Sequence, residues 1–251
     1  MTNHRGYGRN TVGNSADSDH ELEQGSDETM EMPLFPLNVV LFPGMFLPLH
    51  IFEPRYREMV EHCVETKSPF GVALIRDGQE VGDAATPCDI GTAARIAKVQ
   101  RMPDGRMNIS TVGTQRFRIE SVDYSRAYAV AQVRHYPIVN AATQSAGELM
   151  QRVRPKVYTY MEMLEKATQQ KLNLNRQLPQ DPKMLAFMVA IALQVNNEDK
   201  QALLELPGIP DMLAREQRLL AREIMFIQHM LDTQSEIQTM NMGPTGYIFP
   251  N

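Results

Sequence analysis

Residues 33–56 read PLFPLNVVLFPGMFLPLHIFEPRY, and no other segment of the chain constrains the backbone as strongly. Five prolines interrupt its apolar runs, and each proline fixes φ and removes a backbone N–H donor. The segment therefore cannot form one central strand, and it predicts short extended pieces that bend at the corner of a sheet or barrel. It carries no acid–base pair, metal-ligand cluster or activated nucleophile, which favours binding over catalysis.

An amphipathic helix is predicted at the end of this segment. Pro54 suits the first helical turn, where a missing N–H costs nothing. Apolar residues then recur at helical spacing on one face, and they are Tyr56, Met59, Val60, Cys63 and Val64. Cys63 on this face predicts a buried free thiol, and its spacing to Cys88 is not that of a zinc site.

Strand signals dominate residues 70–136. Apolar runs predict strands at 70–75, 93–101, 107–112, 115–122 and 128–136. Turns are predicted at residues 103–105 and at Gly113-Thr114. Strict alternation places Phe117 and Ile119 inward and their charged neighbours outward. Short strands joined by hairpins, with a single helix, predict a closed or half-closed antiparallel barrel, because closure removes exposed strand edges.

Helices are predicted after Pro137, where the apolar period lengthens from two to about 3.6 residues. Pro155 either kinks the first helix or begins its second part, Asp181 caps the next, and Asn197 caps a short one. The predicted fold class is α+β, with an antiparallel β barrel and one packed helix in residues 32–137, followed by a helical bundle in residues 145–232.

The net charge is concentrated in the first residues of the chain. Residues 1–31 hold two arginines against seven acidic side chains, so this segment alone accounts for the net charge of −5. Its composition predicts a disordered acidic tail, and residues 233–251 are predicted to form a second tail. We expect a cytoplasmic protein without a membrane partner, since the chain has no secretory leader and no apolar run near the roughly 18 residues of a membrane helix.

Five ordered blocks resemble a known family, and they read PLFPLNVVLFPG, LPLHIFEPRYREMV, FGVALI, DIGTAARI and MPDGRMNISTVGTQRFRI. They are similar to the N-terminal, substrate-binding domain of the Lon protease family, closely over residues 32–136 and more loosely to about residue 231. That domain also occurs as a stand-alone protein. The resemblance implies a PUA-like barrel followed by a helical bundle, and recognition of unfolded or exposed polypeptide segments in protein quality control.

The motifs of an ATPase or hydrolase are missing from this sequence. No G-x-x-x-x-G-K-[ST] loop and no G-x-S-x-G elbow occur, and the six histidines show no H-E-x-x-H spacing. We therefore expect a non-enzymatic protein that lacks ATPase and protease domains and uses neither a cofactor nor a metal.

The candidate polypeptide-binding residues crowd the proline-broken segment, and they are Phe42, Met45, Phe46, Leu47, His50, Ile51 and Phe52. A bent segment cannot bury all of them behind a regular strand, and an exposed apolar patch is typical of partner surfaces. The alternative, that each belongs to the barrel core, stays open at this point. Glu53 is interpreted first as a cap or support of the helix that follows, and second as a ligand contact.

Two rival functions stay open as well. A basic sheet face could bind RNA, and six residues predict such a face: Arg95, Lys98, Arg101, Arg106, Arg116 and Arg118. Alternating charge is, however, typical of any solvated sheet face. An adaptor that presents clients to a separate protease would use the last helix for docking. There Leu213, Leu220 and Ile227 recur every seven residues, a spacing that suits helix pairing or ordinary bundle packing.

Overall fold

The computed structural model describes residues 29–79, 85–169 and 177–241, and these form seven strands and five helices. The strands are β1 (Met30–Leu37), β2 (Phe46–Ile51), β3 (Phe70–Asp77), β4 (Thr86–Pro87), β5 (Ile90–Arg101), β6 (Met107–Asp123) and β7 (Val130–His135). The helices are α1 (Pro54–Thr66), α2 (Gln144–Thr168), α3 (Pro182–Ala192), α4 (Asn197–Leu204) and α5 (Ile209–Asn241).

Five strands close into a ring. In the order β1-β7-β6-β5-β3 each strand pairs with the next, and β3 pairs back onto β1 from Leu34↔Gly71 to Leu37↔Leu74. The closing pair is parallel, whereas the other pairs of the ring are antiparallel. The predicted α+β class with a barrel is confirmed. The parallel pair was not predicted, because local alternation does not reveal the relative direction of strands distant in sequence.

β6 runs without interruption from Met107 to Asp123, so the turn predicted at Gly113-Thr114 is wrong. The register between β5 and β6 shifts near Gly113, which makes this point an irregularity within one long strand. Glycine at position 113 allows the backbone of Phe42 to pack closely against β6, because a Cβ atom there would lie 2.3 Å from the carbonyl oxygen of Phe42. The first half of β6 pairs with β2 and the second half with β7.

The barrel interior is covered by α1, whose predicted stripe is confirmed. α1 buries Tyr56, Met59, Val60 and Cys63 against a core that also contains Phe70. Cys63 and Cys88 are both buried free thiols, and burial raises the pKa of each above its ordinary value.

The bundle packs directly against the barrel. Val40, Phe42 and Ile90 belong to the same apolar cluster as the buried faces of α2, α3 and α5, so the two parts share a core. α2 continues through Pro155 as one helix, and the Asp181 side chain accepts a hydrogen bond from the Met184 N–H at 2.7 Å, as a cap should. The cap of α4 is Asn196, one residue before the predicted Asn197.

The observed elements overlap both predicted tails. β1 begins at Met30, inside the predicted acidic tail, and α5 continues to Asn241, nine residues beyond the predicted end of the bundle at 232. Residues 1–28 and 242–251, on which the rest of both tail predictions falls, lie outside the described residues. Among the helices that are described, none combines the length and apolar character needed to cross a membrane.

Candidate functional site

β2 is an edge strand that presents one row of side chains to solvent. It pairs with β6 from Phe46↔Val112 to Ile51↔Met107, and no other described strand pairs with it. Alternation along β2 and the residue after it directs four side chains outward, and we call Phe46, Pro48, His50 and Phe52 the β2 row. Phe46 is 58% exposed and Phe52 is 49% exposed, values that are high for large apolar side chains.

Three of the seven predicted binding residues belong to the core and are corrected here. Phe42, Leu47 and Ile51 are 0%, 9% and 1% exposed, because they point towards the interior of the fold. These three side chains are therefore not part of the exposed surface. Met45 is half-buried and packs against both the barrel core and the bundle core. The binding prediction therefore narrows to Phe46, His50 and Phe52, with Met45 beside them.

A tight turn at residues 42–45 leads into β2. The Met45 N–H donates to the Phe42 carbonyl at 3.0 Å, and Gly44 adopts a φ of +81°, which suits glycine after the proline of such a turn. Gly113 of β6 then clamps the turn. Its N–H donates to the Met45 carbonyl at 2.9 Å, and its own carbonyl accepts the Gly44 N–H at 2.8 Å.

Two buried threonines form hydrogen bonds with the backbone of residues 41–47. The Thr92 hydroxyl donates to the Leu41 carbonyl at 2.6 Å, and the Thr111 hydroxyl donates to the Leu47 carbonyl at 2.8 Å. Both threonines are fully buried. An unpaired buried carbonyl is unfavourable by about 1–3 kcal/mol. Displacing the segment would break these two hydrogen bonds, so they hold the start of β2 in place.

A cavity of about 260 Å³ adjoins the β2 row. Its walls include Pro48, His50 and Phe52 of the row, together with the stacked rings of Phe35 and Tyr56, whose centroids are 4.0 Å apart. This volume is below the roughly 300–1,000 Å³ of typical small-molecule pockets. The cavity therefore suits a single side chain of a bound partner better than a whole cofactor.

Polar groups border this apolar surface. His50 Nδ1 lies 2.7 Å from Asn108 Oδ1, and the His50 ring lies against the Phe52 ring at a centroid distance of 6.1 Å. Glu53 occupies the cap position of α1, yet its side chain makes no capping hydrogen bond. It accepts a hydrogen bond from Arg55 Nε at 3.0 Å instead, which corrects its interpretation as a side-chain cap and makes it part of a polar rim.

The six basic residues between 95 and 118 do not form one continuous face. Arg101 pairs with Glu61 and Arg106 pairs with Asp104, each at 2.7 Å. Arg116 is buried. Arg95, Lys98 and Arg118 are the three that stay exposed without an ion pair among the described residues. Phosphate recognition needs several free cations along one track, so this arrangement does not favour RNA binding.

The heptad spacing in the last helix reflects bundle packing. Leu213, Leu220 and Ile227 are buried in the shared core, so they are not available to dock a further protein. Within residues 29–79, 85–169 and 177–241, no group of three or more His, Cys, Asp or Glu side chains could hold a metal ion. The exposed aromatic side chains of the β2 row are therefore the feature of this region that best suits a binding role.

Comparison with known proteins identifies similar sequences and folds. Residues 31–222 match the family model of the ATP-dependent protease La (LON) substrate-binding domain. Lon protease 1 of Herpetosiphon aurantiacus is 25% identical over 232 residues, which are 87% of this chain and 27% of that protein. Lon protease of Roseiflexus castenholzii is 27% identical over 194 residues, covering 76% of this chain and 24% of that protein. The chain thus spans about a quarter of the length of the curated relatives it matches.

Two solved structures are also similar. A Lon N-terminal domain protein from Xanthomonas campestris is 26% identical with a TM-score of 0.51, and the match covers 76% of this chain and 98% of the other. The N-terminal domain of a Mycobacterium avium complex Lon protease has a TM-score of 0.59 over the same shares of the two chains. Its identity of 19% makes that second likeness one of fold alone.

Proposed function

The chain belongs to the family of the ATP-dependent protease La (LON) substrate-binding domain, and from this premise we propose that it binds unfolded or exposed polypeptide segments through the β2 row. The observation that carries the proposal is the exposure of Phe46 and Phe52 on one side of an edge strand whose position is fixed by buried hydrogen bonds. The protein would bind its clients without catalysing a reaction on them.

Side chains, more than the strand backbone, would make the contacts. Pro48 has no N–H to offer to an added strand, and proline on an edge strand is one way in which proteins prevent edge-to-edge pairing. Covering the exposed parts of the two phenylalanine rings would remove on the order of 200 Å² of apolar surface, worth about 5 kcal/mol. After the loss of translational and rotational freedom, this supports weak and broad recognition.

The role that follows is capture of clients in protein quality control. The relatives named above are Lon proteases, and we propose on this basis that captured clients are passed on for degradation by a protease.

Replacing Phe46 and Phe52 together by serine is expected to weaken client binding at least about tenfold, since it removes the apolar contact area. Carboxymethylated α-lactalbumin, which is permanently unfolded, serves as a fluorescent client in an anisotropy titration. The melting temperature should change by no more than about 2 °C, because both side chains are on the surface.

The matched control replaces Met225 and Phe226 by serine, two α5 side chains that are 73% and 64% exposed. This variant should bind the client as the wild type does. Equal losses in both double variants would mean that exposed apolar side chains bind without a defined site, contrary to the proposal. Raising the salt concentration about tenfold should change the affinity little, whereas a steep fall would show that ionic contacts with the client dominate binding.

A further inference from the structure

A cleft of about 540 Å³ lies where the barrel meets the bundle. Three basic side chains face it, and these are Arg116 of β6, His135 of β7 and Lys183 of α3. Its apolar walls are Pro43, Tyr136, Pro137, Ile138 and Phe187, and Thr114 and Gln115 complete the lining. The lining contains no carboxylate, so the cleft combines positive charge with apolar surface.

Arg116 is the buried basic group of this cleft. Its side chain is enclosed because the chain at 204–206 covers β6, and Arg116 Nη1 donates to the carbonyls of Leu204 and Leu206 at 2.6 Å each. The guanidinium also lies over the Tyr136 ring, 4.6 Å from its centroid. Nη2 is buried and has no hydrogen-bond partner among the described residues. Burial lowers the pKa of Arg116 to about 10, so the group is still charged at neutral pH.

His135 lies close enough to Arg116 and Lys183 to be affected by their charges. Burial lowers the pKa of His135, and the positive charges of Arg116 and Lys183 lower it further. Lys183 is exposed at the edge of the cleft. None of the three forms an ion pair with any carboxylate of the described residues. A buried donor without a partner is unfavourable by about 1–3 kcal/mol, so a ligand oxygen that pairs with Arg116 Nη2 would be stabilised.

We propose that this cleft binds a carboxylate attached to an apolar body, the chemistry offered by the C-terminal residue of a polypeptide or by a small apolar carboxylic acid. The carboxylate would accept hydrogen bonds from Arg116 and Lys183, which is a favourable charge-assisted arrangement. Tyr136, Ile138 and Phe187 would contact the apolar body. In its polypeptide form the inference rests on the proposed function.

Phosphate fits the same cleft less well. Phosphate groups commonly use the free N–H groups at a helix start, but at α3 the Asp181 carboxylate already accepts the Met184 N–H. A phosphate at the start of α3 would therefore find this N–H group already paired. The cleft also offers more apolar wall than a phosphate ion can use.

The cleft and the β2 row are close along the chain. Pro43 lines the cleft and Phe46 begins β2, so at most about 11 Å of extended backbone separates the two residues. A client whose last residue occupies the cleft would therefore place an apolar residue only a few positions earlier near Phe46.

The test compares four probes by NMR of the His135 ring. The probes are N-acetyl-Leu-Phe with a free carboxylate, its C-terminal amide, 3-phenylpropionate and inorganic phosphate. The free peptide should bind at least about tenfold more tightly than the amide, because the amide lacks the charge. Binding should also raise the pKa of His135 in its titration curve, since an anion in the cleft favours the protonated ring.

Lys183→Gln should weaken binding of the free peptide about tenfold and reduce the pKa increase at His135. Lys98→Gln, which alters another exposed lysine, on β5, should leave both unchanged. Arg116→Lys is a second variant, but its folding must be checked, because Arg116 also joins the barrel to the chain after α4.

The outcomes separate the sources of the carboxylate. Binding of the peptide but not of 3-phenylpropionate would assign the cleft to polypeptide C-termini, and comparable binding of both would assign it to small carboxylic acids as well. Equal binding of peptide and amide, a stronger response to phosphate, or no binding at all would overturn the proposal. The Phe46 and Phe52 double variant should still bind the peptide, so a failure of the β2 row would not be mistaken for a failure of the cleft.

Discussion

Replacing Glu216 by methionine should raise the free energy of unfolding by about 3 kcal/mol at neutral pH, and the melting temperature by roughly 6–12 °C. Glu216 lies on α5 and is fully buried, and neither carboxylate oxygen has a hydrogen-bond partner among the described residues. Met212, Leu213 and Leu220 flank it on the buried face of the helix. Methionine has a similar size and removes the unpaired polar atoms, so the apolar core would lose an unfavourable contribution.

The same residue should make stability depend on pH. Burial raises the pKa of Glu216 well above its ordinary value of 4.5, so the folded protein keeps a proton that the unfolded chain releases. Between those two pKa values the free energy of unfolding falls as pH rises, by up to about 1.4 kcal/mol per pH unit. Stability from this group is therefore fully present below pH 4.5 and is lost as the pH rises towards the folded pKa.

Chemical denaturation at several pH values above 4.5 would measure the slope. Glu216→Gln should remove this contribution to the slope while keeping the side-chain shape, and Glu216→Met should remove it and also stabilise the protein. Glu162→Met, at an exposed position of α2, controls for the general effect of losing a surface carboxylate. An unchanged slope in the Glu216 variants, or a methionine variant less stable than wild type, would contradict a buried protonated carboxyl.

Local patterns predicted the elements of this fold well. The alternation around Phe117 and Ile119 lies within β6, the spacing from Tyr56 to Cys63 produced the buried face of α1, and Asp181 caps α3. These signals depend on neighbours in the sequence, so they are visible without the structure. Closure of the ring through a parallel β1–β3 pair depends on contacts between distant segments, and no local pattern reports it.

The sequence correctly indicated the segment that contains the candidate site, but it did not indicate which side chains of that segment point outward. Every residue from Phe46 to Phe52 except His50 is apolar or proline, so alternation gives no clue to which side points outward. Pairing with β6 decides the matter by directing Leu47 and Ile51 inward and Phe46 outward. The burial of Arg116, a residue predicted on an exposed basic face, was missed for a related reason. A charged residue on an alternating strand predicts exposure, yet a segment about 90 residues later in the chain covers it.

Gly113→Ala should destabilise the protein by about 3 kcal/mol and also weaken client binding, because this glycine joins the core of the barrel to the β2 row. The added Cβ would lie 2.3 Å from the Phe42 carbonyl oxygen, a backbone atom that cannot rotate away. Relieving that contact would pull the turn at residues 42–45 from β6, and would break the two hydrogen bonds that Gly113 makes with Gly44 and Met45.

Gly147→Ala is the matched control for this substitution. Gly147 lies in the first turns of α2, and a Cβ there would meet no atom within 4 Å. Since alanine favours the helix, this variant should gain up to about 1 kcal/mol and bind the unfolded client normally. Denaturant unfolding measures the stability of both variants, and anisotropy below the unfolding transition measures their affinity. If Gly113→Ala were as stable as wild type, the turn would not be clamped by β6; if it were destabilised with unchanged client affinity, the β2 row would not depend on that clamp for its function.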